Sequence, residues 1–190
     1  MMKYFYCALV IAISLSLQSC SSILSATTAT PIPEEPQRRT TGSLIDDEII
    51  EIKALVNIDK ASPELAQAHI NATSYNGILL LTGQVSSEHL RQQAAQTAAK
   101  IGSVRQVHNE ISVAGTTSMV ARSNDTWITT KVKSKLLANG AVVGQHIKVV
   151  TENGVVYLMG LVTRDQADRA AEITRKTAGV QKVVRIFEYI

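Results

Sequence analysis

Apolar residues return at helical spacing twice in this chain: Ile50, Ala54 and Ile58, and later Ile128, Val132 and Leu136. Steps of i, i+4, i+8 put each triplet on one helical face, so two amphipathic helices are predicted. Asp46-Asp47 and Asp125 stand where helix N-caps are expected. An alternating stretch follows each helix, His69 to Tyr75 and His146 to Glu152, and each leads into Asn-Gly. Asn-Gly between two β-rich runs predicts a type I′ hairpin, because both residues tolerate a positive φ. The strands after the turns are predicted to end at Gly83 and Gly160, where a glycine implies a close backbone approach or a Cβ that would collide with a packed helix.

Ser86 and Thr163 then cap a second helix in each copy, with Gln166 as the capping-box partner of Thr163. The buried faces are read as Leu90, Ala94, Ala98 and Ile101, and as Ala167, Ala170, Ala171, Thr174 and Ala178. Gly102 and Gly179 stop these helices, and Val104 to Val113 and Val180 to Ile190 supply final strands, where one residue is lost between copies. The predicted fold class is α+β: two tandem modules, each αββαβ. A three-stranded mixed sheet is covered on one face by two helices, its last strand parallel to a hairpin strand after a right-handed crossover.

The repeat is close in wording. Asn76-Gly77-Ile78-Leu79-Leu80-Leu81-Thr82-Gly83 reappears as Asn153-Gly154-Val155-Val156-Tyr157-Leu158-Met159-Gly160, which makes Gly77, Gly83, Gly154 and Gly160 structural candidates. Charge separates the copies. Residues 44–115 hold five Lys/Arg against eight Asp/Glu, whereas 116–190 hold eleven against six. Two copies of one fold with opposite charge are expected to touch different things.

The N-terminus sets the compartment. Lys3, the apolar run from Tyr4 to Leu17, and Leu17-Gln18-Ser19-Cys20 describe a secretory signal ending in Cys, which resembles a bacterial lipoprotein signal. That resemblance implies residues 1–19 as signal peptide and Cys20 as the lipid attachment residue. Ser21, in place of Asp, implies the inner leaflet of the outer membrane. Two or more acyl chains hold a protein stably, at about 0.8 kcal/mol per buried methylene. Residues 20–43, with Pro31, Pro33 and Pro36, read as an acylated Cys and disordered tether, able at about 3.1 Å per residue to reach several nanometres. The modules are expected at 44–115 and 125–190, with a linker over 116–124.

With Cys7 in the signal and Cys20 acylated, no thiol is left for a disulfide, a metal or catalysis. His69, His89, His108 and His146 show no ligand spacing, and no nucleophile elbow or nucleotide loop is present. No catalytic residue, cofactor or metal is expected, and the reading is of a protein that is not an enzyme. A basic module outside the cytoplasm meets little nucleic acid; anionic phospholipid is the polyanion near its anchor.

The helix, Asn-Gly hairpin, glycine-bearing strand, alanine-rich helix and final strand resemble the BON domain. Two of them behind a lipobox resemble the dual BON-domain outer-membrane lipoproteins, most specifically through Ser123 to Val132, Thr151-Glu152-Asn153-Gly154 and Leu158 to Thr163. The first module departs more, lacking the Trp and carrying Asn57 where Ala is common. The resemblance implies a periplasmic, lipid-anchored protein that binds anionic phospholipid through the first helix of its second module. It further implies a part in outer-membrane integrity and localisation to division sites.

On that helix, at about 100° per residue, Trp127 lies opposite the core triplet. Thr130, Lys131, Ser134 and Leu137 fall around it, and Lys133 and Lys135 flank it. These seven residues are the predicted phospholipid-binding site, since Trp suits a membrane interface and lysines snorkel towards phosphates. The alternative reading is an adaptor whose Trp127 face binds an envelope protein, such as a cell-wall remodelling factor.

Overall fold

Each amphipathic helix does fold, and each begins earlier than its sequence pattern. In the computed structural model, which describes residues 40–115, 119–140, 142 and 144–190, helix α1 spans Thr41–Ala61. The signal peptide, Cys20, most of the tether and residues 116–118 of the expected linker lie outside the described residues. Thr40 caps α1, its hydroxyl oxygen accepting the Ser43 N–H at 3.1 Å. A short unpredicted helix, α2 (Pro63–Gln67), follows, capped by Ser62, and it seals one end of the core with Leu65. Strands β1 (His69–Tyr75) and β2 (Ile78–Val85) pair antiparallel across the turn. Helix α3 (Glu88–Ala99) then returns the chain so that β3 (Gln106–Val113) runs parallel to β2.

The second copy repeats this order. Helix α4 (Met119–Ala138) leads through a 3₁₀ turn at Gly144–His146 to β4 (Ile147–Glu152), β5 (Val155–Val162), α5 (Arg164–Arg175) and β6 (Lys182–Tyr189). Strand order is β1-β2-β3 and β4-β5-β6, so each sheet is mixed and three-stranded, as predicted. Ile50, Ala54 and Ile58 pack on Leu79, Leu81 and Ile111 with Ala94 and Ala98 of α3. Ile128, Val132 and Leu136 pack on Val156 and Leu158 with Ala167 and Ala170 of α5. Small residues on α3 and α5 let these helices lie close over the sheet.

Why β2 and β5 are apolar on both faces is then clear. Leu79 and Leu81 face the helices, while Ile78 and Leu80 join Tyr75 in a third cluster with Tyr157, Met159 and Ile186 of the other module. The faces not covered by helices therefore cover each other. Polar bonds pin this junction. The Tyr75 hydroxyl donates to the His146 carbonyl at 3.0 Å, Lys148 pairs with Glu51 at 2.7 Å, and Arg105 pairs with Glu188 at 2.6 Å.

Several sequence expectations need correction. Asp47 and Asp125 are not N-caps; both lie inside helices, buried, and their carboxylates reach the hairpin turns. The expected linker over 116–124 is helical from Met119 onward. In the first copy the cap of the second helix is Ser87, not Ser86, while Thr163 forms the expected capping box with Gln166. The residue lost between copies is thus at the strand-to-helix junction rather than in the last strands. Helix α5 ends at Arg175, so Ala178 is exposed and Thr177 fills the buried place. Gly83 and Gly160 lie inside their strands, opposite Ile70 and Ile147, and what a Cβ would strike is a backbone carbonyl where the neighbouring strand begins, that of His69 or His146, not a packed α-helix.

Candidate functional site

Helix α4 has two working faces. Inward, Ile128, Val132 and Leu136 are wholly buried, and the Thr129 hydroxyl bonds that of Thr151 on β4 at 2.7 Å. With that face fixed, the 3.6-residue period leaves Trp127 outward, and its side chain is 61 % exposed. Leu137, three turns on, is 64 % exposed. Thr130, Lys133, Ser134 and Lys135 are exposed and Lys131 is half-buried, so all seven predicted residues share the outer side of one helix.

The lysines are not equivalent. The Lys131 ammonium stands 5.6 Å from the centroid of the Trp127 ring and donates to the Ala178 carbonyl at 2.8 Å. Lys135 reaches the Lys176 carbonyl at 3.5 Å. Both lean towards the end of α5, where unsatisfied carbonyls and the helix dipole attract cations. Lys133 faces the other way, into an open cleft of about 410 Å³ shared with Arg122, Thr126, Thr129, Thr130 and, from the first module, His69 and Asn71. The Thr130 hydroxyl donates back to the Thr126 carbonyl at 2.9 Å, which commits its proton to the helix. Trp127 thus has a cation against its ring on one side and a polar cleft on the other.

Arg122 was missed from the sequence because its segment read as linker. The signal was present, since Arg122, Thr126 and Thr130 continue the i, i+4 spacing back from the recognised helix. The structural glycines divide into two pairs. Gly77 and Gly154 occupy turns with φ of 76° and 75°, after Asn76 and Asn153 at 52° and 48°, the type I′ geometry that Asn-Gly predicts. Gly83 and Gly160 are the sites of close strand approach. Cys20 lies outside the described residues.

A family model for the BON domain matches residues 46–115 and 124–189. The chain belongs to the BON-domain family. Its two BON modules coincide with the two sheets and their helices. The chain is 38 % identical over 183 residues to "Outer membrane lipoprotein DolP" of Haemophilus influenzae, covering 96 % of this chain and 95 % of that one. It is 39 % identical over 158 residues to a "21 kDa hemolysin" of Actinobacillus pleuropneumoniae, covering 83 % and 80 %. It is 32 % identical over 148 residues to "Osmotically-inducible protein Y" of Escherichia coli, covering 75 % and 72 %. Among the described residues no helix is long and apolar enough to cross a membrane.

Proposed function

We propose that this BON-domain protein is a lipid-anchored outer-membrane lipoprotein whose second module binds anionic phospholipid at the inner leaflet, through the Trp127 face of α4. The observation that carries the reading is the outward indole, exposed by 61 %, with the Lys131 ammonium 5.6 Å from its ring and the exposed Lys133 and Lys135 on either flank of the helix. An indole has an apolar ring and an N–H donor suited to the headgroup layer. Each lysine near an anionic surface adds on the order of 1 kcal/mol, within a screening length of about 10 Å at 0.1 M salt. The anchor expected at Cys20 and the similarity to the outer membrane lipoprotein of Haemophilus influenzae support the location. Confined there, a weak face suffices, because tethering raises its effective concentration. The wider role that fits is maintenance of outer-membrane integrity where such lipids concentrate, division sites included.

Vesicle co-sedimentation of residues 40–190 tests it. Binding should require anionic lipid, read with phosphatidylglycerol vesicles as the probe, weaken as salt rises and collapse in Trp127→Glu. Indifference to vesicles together with capture of an envelope protein through the same face would replace this reading with the adaptor.

A further inference from the structure

The first module carries a different surface at the same place. Ile49 of α1 holds the position that Trp127 holds in α4, just as Ile50 matches Ile128. Around it Ile45, Ile49, Ile52 and Val56 are exposed by 56, 41, 60 and 42 %. Their spacing of four, three and four is that of a coiled-coil seam, with Ile45 and Ile52 at d and Ile49 and Val56 at a. The opposite face of α1, Ile50, Ala54 and Ile58, is already buried in the module. The stripe is therefore a second apolar face, not a frayed core.

Charge decides what covers it. Asp46, Glu48 and Asp59 outnumber Lys53 and Lys60 along the stripe, a mixed border of net negative sign that sets it against an anionic bilayer. Against another copy of itself the pattern is complementary. Two α1 helices packed antiparallel place Ile49 against Ile52 and Ile45 against Val56 of the partner, and bring Asp46 beside Lys53 at both ends of the two-fold. A parallel pairing would also bring Glu48 beside Lys53 of the partner but would stack Asp59 on Asp59 at a d position, which decides against it.

We infer that α1 of the first BON module is a homotypic docking surface, through which two membrane-anchored copies pair antiparallel along Ile45, Ile49, Ile52 and Val56. Four side chains exposed by 41 to 60 % fall well short of the roughly 1,200 Å² total of a complex stable in dilute solution. Pairing is therefore a property of anchored copies, whose confinement to one leaflet raises their effective concentration.

Full-length chains in their own membrane, one carrying Ile49→Cys and one Ile52→Cys under different tags, test this after mild oxidation. The mixed 49–52 disulfide should exceed either like pair by about fivefold, since only facing Cα atoms closer than ~7 Å can bridge. Asp46→Lys or Lys53→Asp alone should reduce it, and the double exchange should restore it. Dominant 49–49 and 52–52 products would overturn the antiparallel pairing. Absence of any product between chains would overturn the inference, with the tether or the bilayer as the cover if the same thiols resist a water-soluble maleimide. Because both substitutions are on α1, vesicle binding through Trp127 is read separately, and thermal unfolding of each Cys variant verifies the fold.

Discussion

Asp125, in the second turn of α4, holds the backbone of Gly154, whose N–H donates to its Oδ1 at 2.8 Å while Oδ2 accepts the Asn153 N–H at 2.7 Å. Asp47 does the same in the first module, accepting from Asn76, Gly77 and the Ser74 hydroxyl. A type I′ turn leaves these N–H groups pointing away from the hairpin, and a buried carboxylate from the covering helix satisfies them. One residue thereby locks the first helix onto the hairpin in each module.

Asp125→Ala should therefore destabilise the second module well beyond a surface change. Charge-assisted bonds to backbone donors contribute about 1.5–3 kcal/mol each, and two N–H groups would be left without their acceptor. A loss of about 3 kcal/mol in urea-denaturation free energy is expected, with Asn, which keeps one acceptor oxygen, in between. Asp125→Asn as damaging as Ala would show that the negative charge, rather than the shape, holds the turn.

The two strand glycines should respond unequally to alanine. A Cβ on Gly83 would lie 1.9 Å from the His69 carbonyl oxygen, and its φ of 124° is strained for any L side chain. On Gly160 the corresponding distance, to His146, is 2.8 Å. Gly83→Ala is expected to cost about 3 kcal/mol or more, and Gly160→Ala clearly less, by thermal unfolding. Gly160→Glu adds a charge between β4 and Phe187 and should rank with Gly83→Ala. It also displaces the carbonyl that accepts the Tyr75 hydroxyl, so the junction between modules should loosen with it.

Much of this fold was legible because it rests on periodicity and on Asn-Gly. Ile128-Val132-Leu136 named the buried face of α4 and thereby the outward Trp127. What escaped notice was carried by single residues with two possible readings. An Asp near a helix start looks like a cap, and only the distance in space to Gly154 shows otherwise. The junction of the two sheets was equally hidden, although Ile78 and Leu80 alternate with Leu79 and Leu81 in a run with no polar face to spare. Such a run fits a strand buried on both sides, yet nothing in it says that the second cover is the other module.

Tyr157 gives this junction a pH dependence. Burial, then the carboxylates of Glu110 and Glu152, push its phenol up to about 12 from 10. A raised value favours the protonated form in the folded chain, so its contribution is complete below pH 10 and is lost as pH rises through 12. Two pH units correspond to roughly 2–3 kcal/mol. Melting temperature should fall over that window, and Tyr157→Phe should flatten the fall relative to the parent chain. An equal slope in Tyr157→Phe would place the alkaline loss elsewhere.

The lysines around Trp127 separate binding from local order. Lys131 is held by the indole face and the Ala178 carbonyl, whereas Lys133 faces the cleft. Lys133→Gln should weaken vesicle binding by about fivefold, the equivalent of one lysine near an anionic surface, and lower its salt dependence without altering unfolding. Lys131→Gln should do this and also change Trp127 fluorescence in the absence of lipid, because it removes the cation from the ring. The pair of measurements tells a charge that meets the membrane from one that first positions the indole. If Lys133→Gln binds vesicles as tightly as the parent while Lys131→Gln does not, the lipid contact runs along the α5 side of α4 and the cleft takes no part in it.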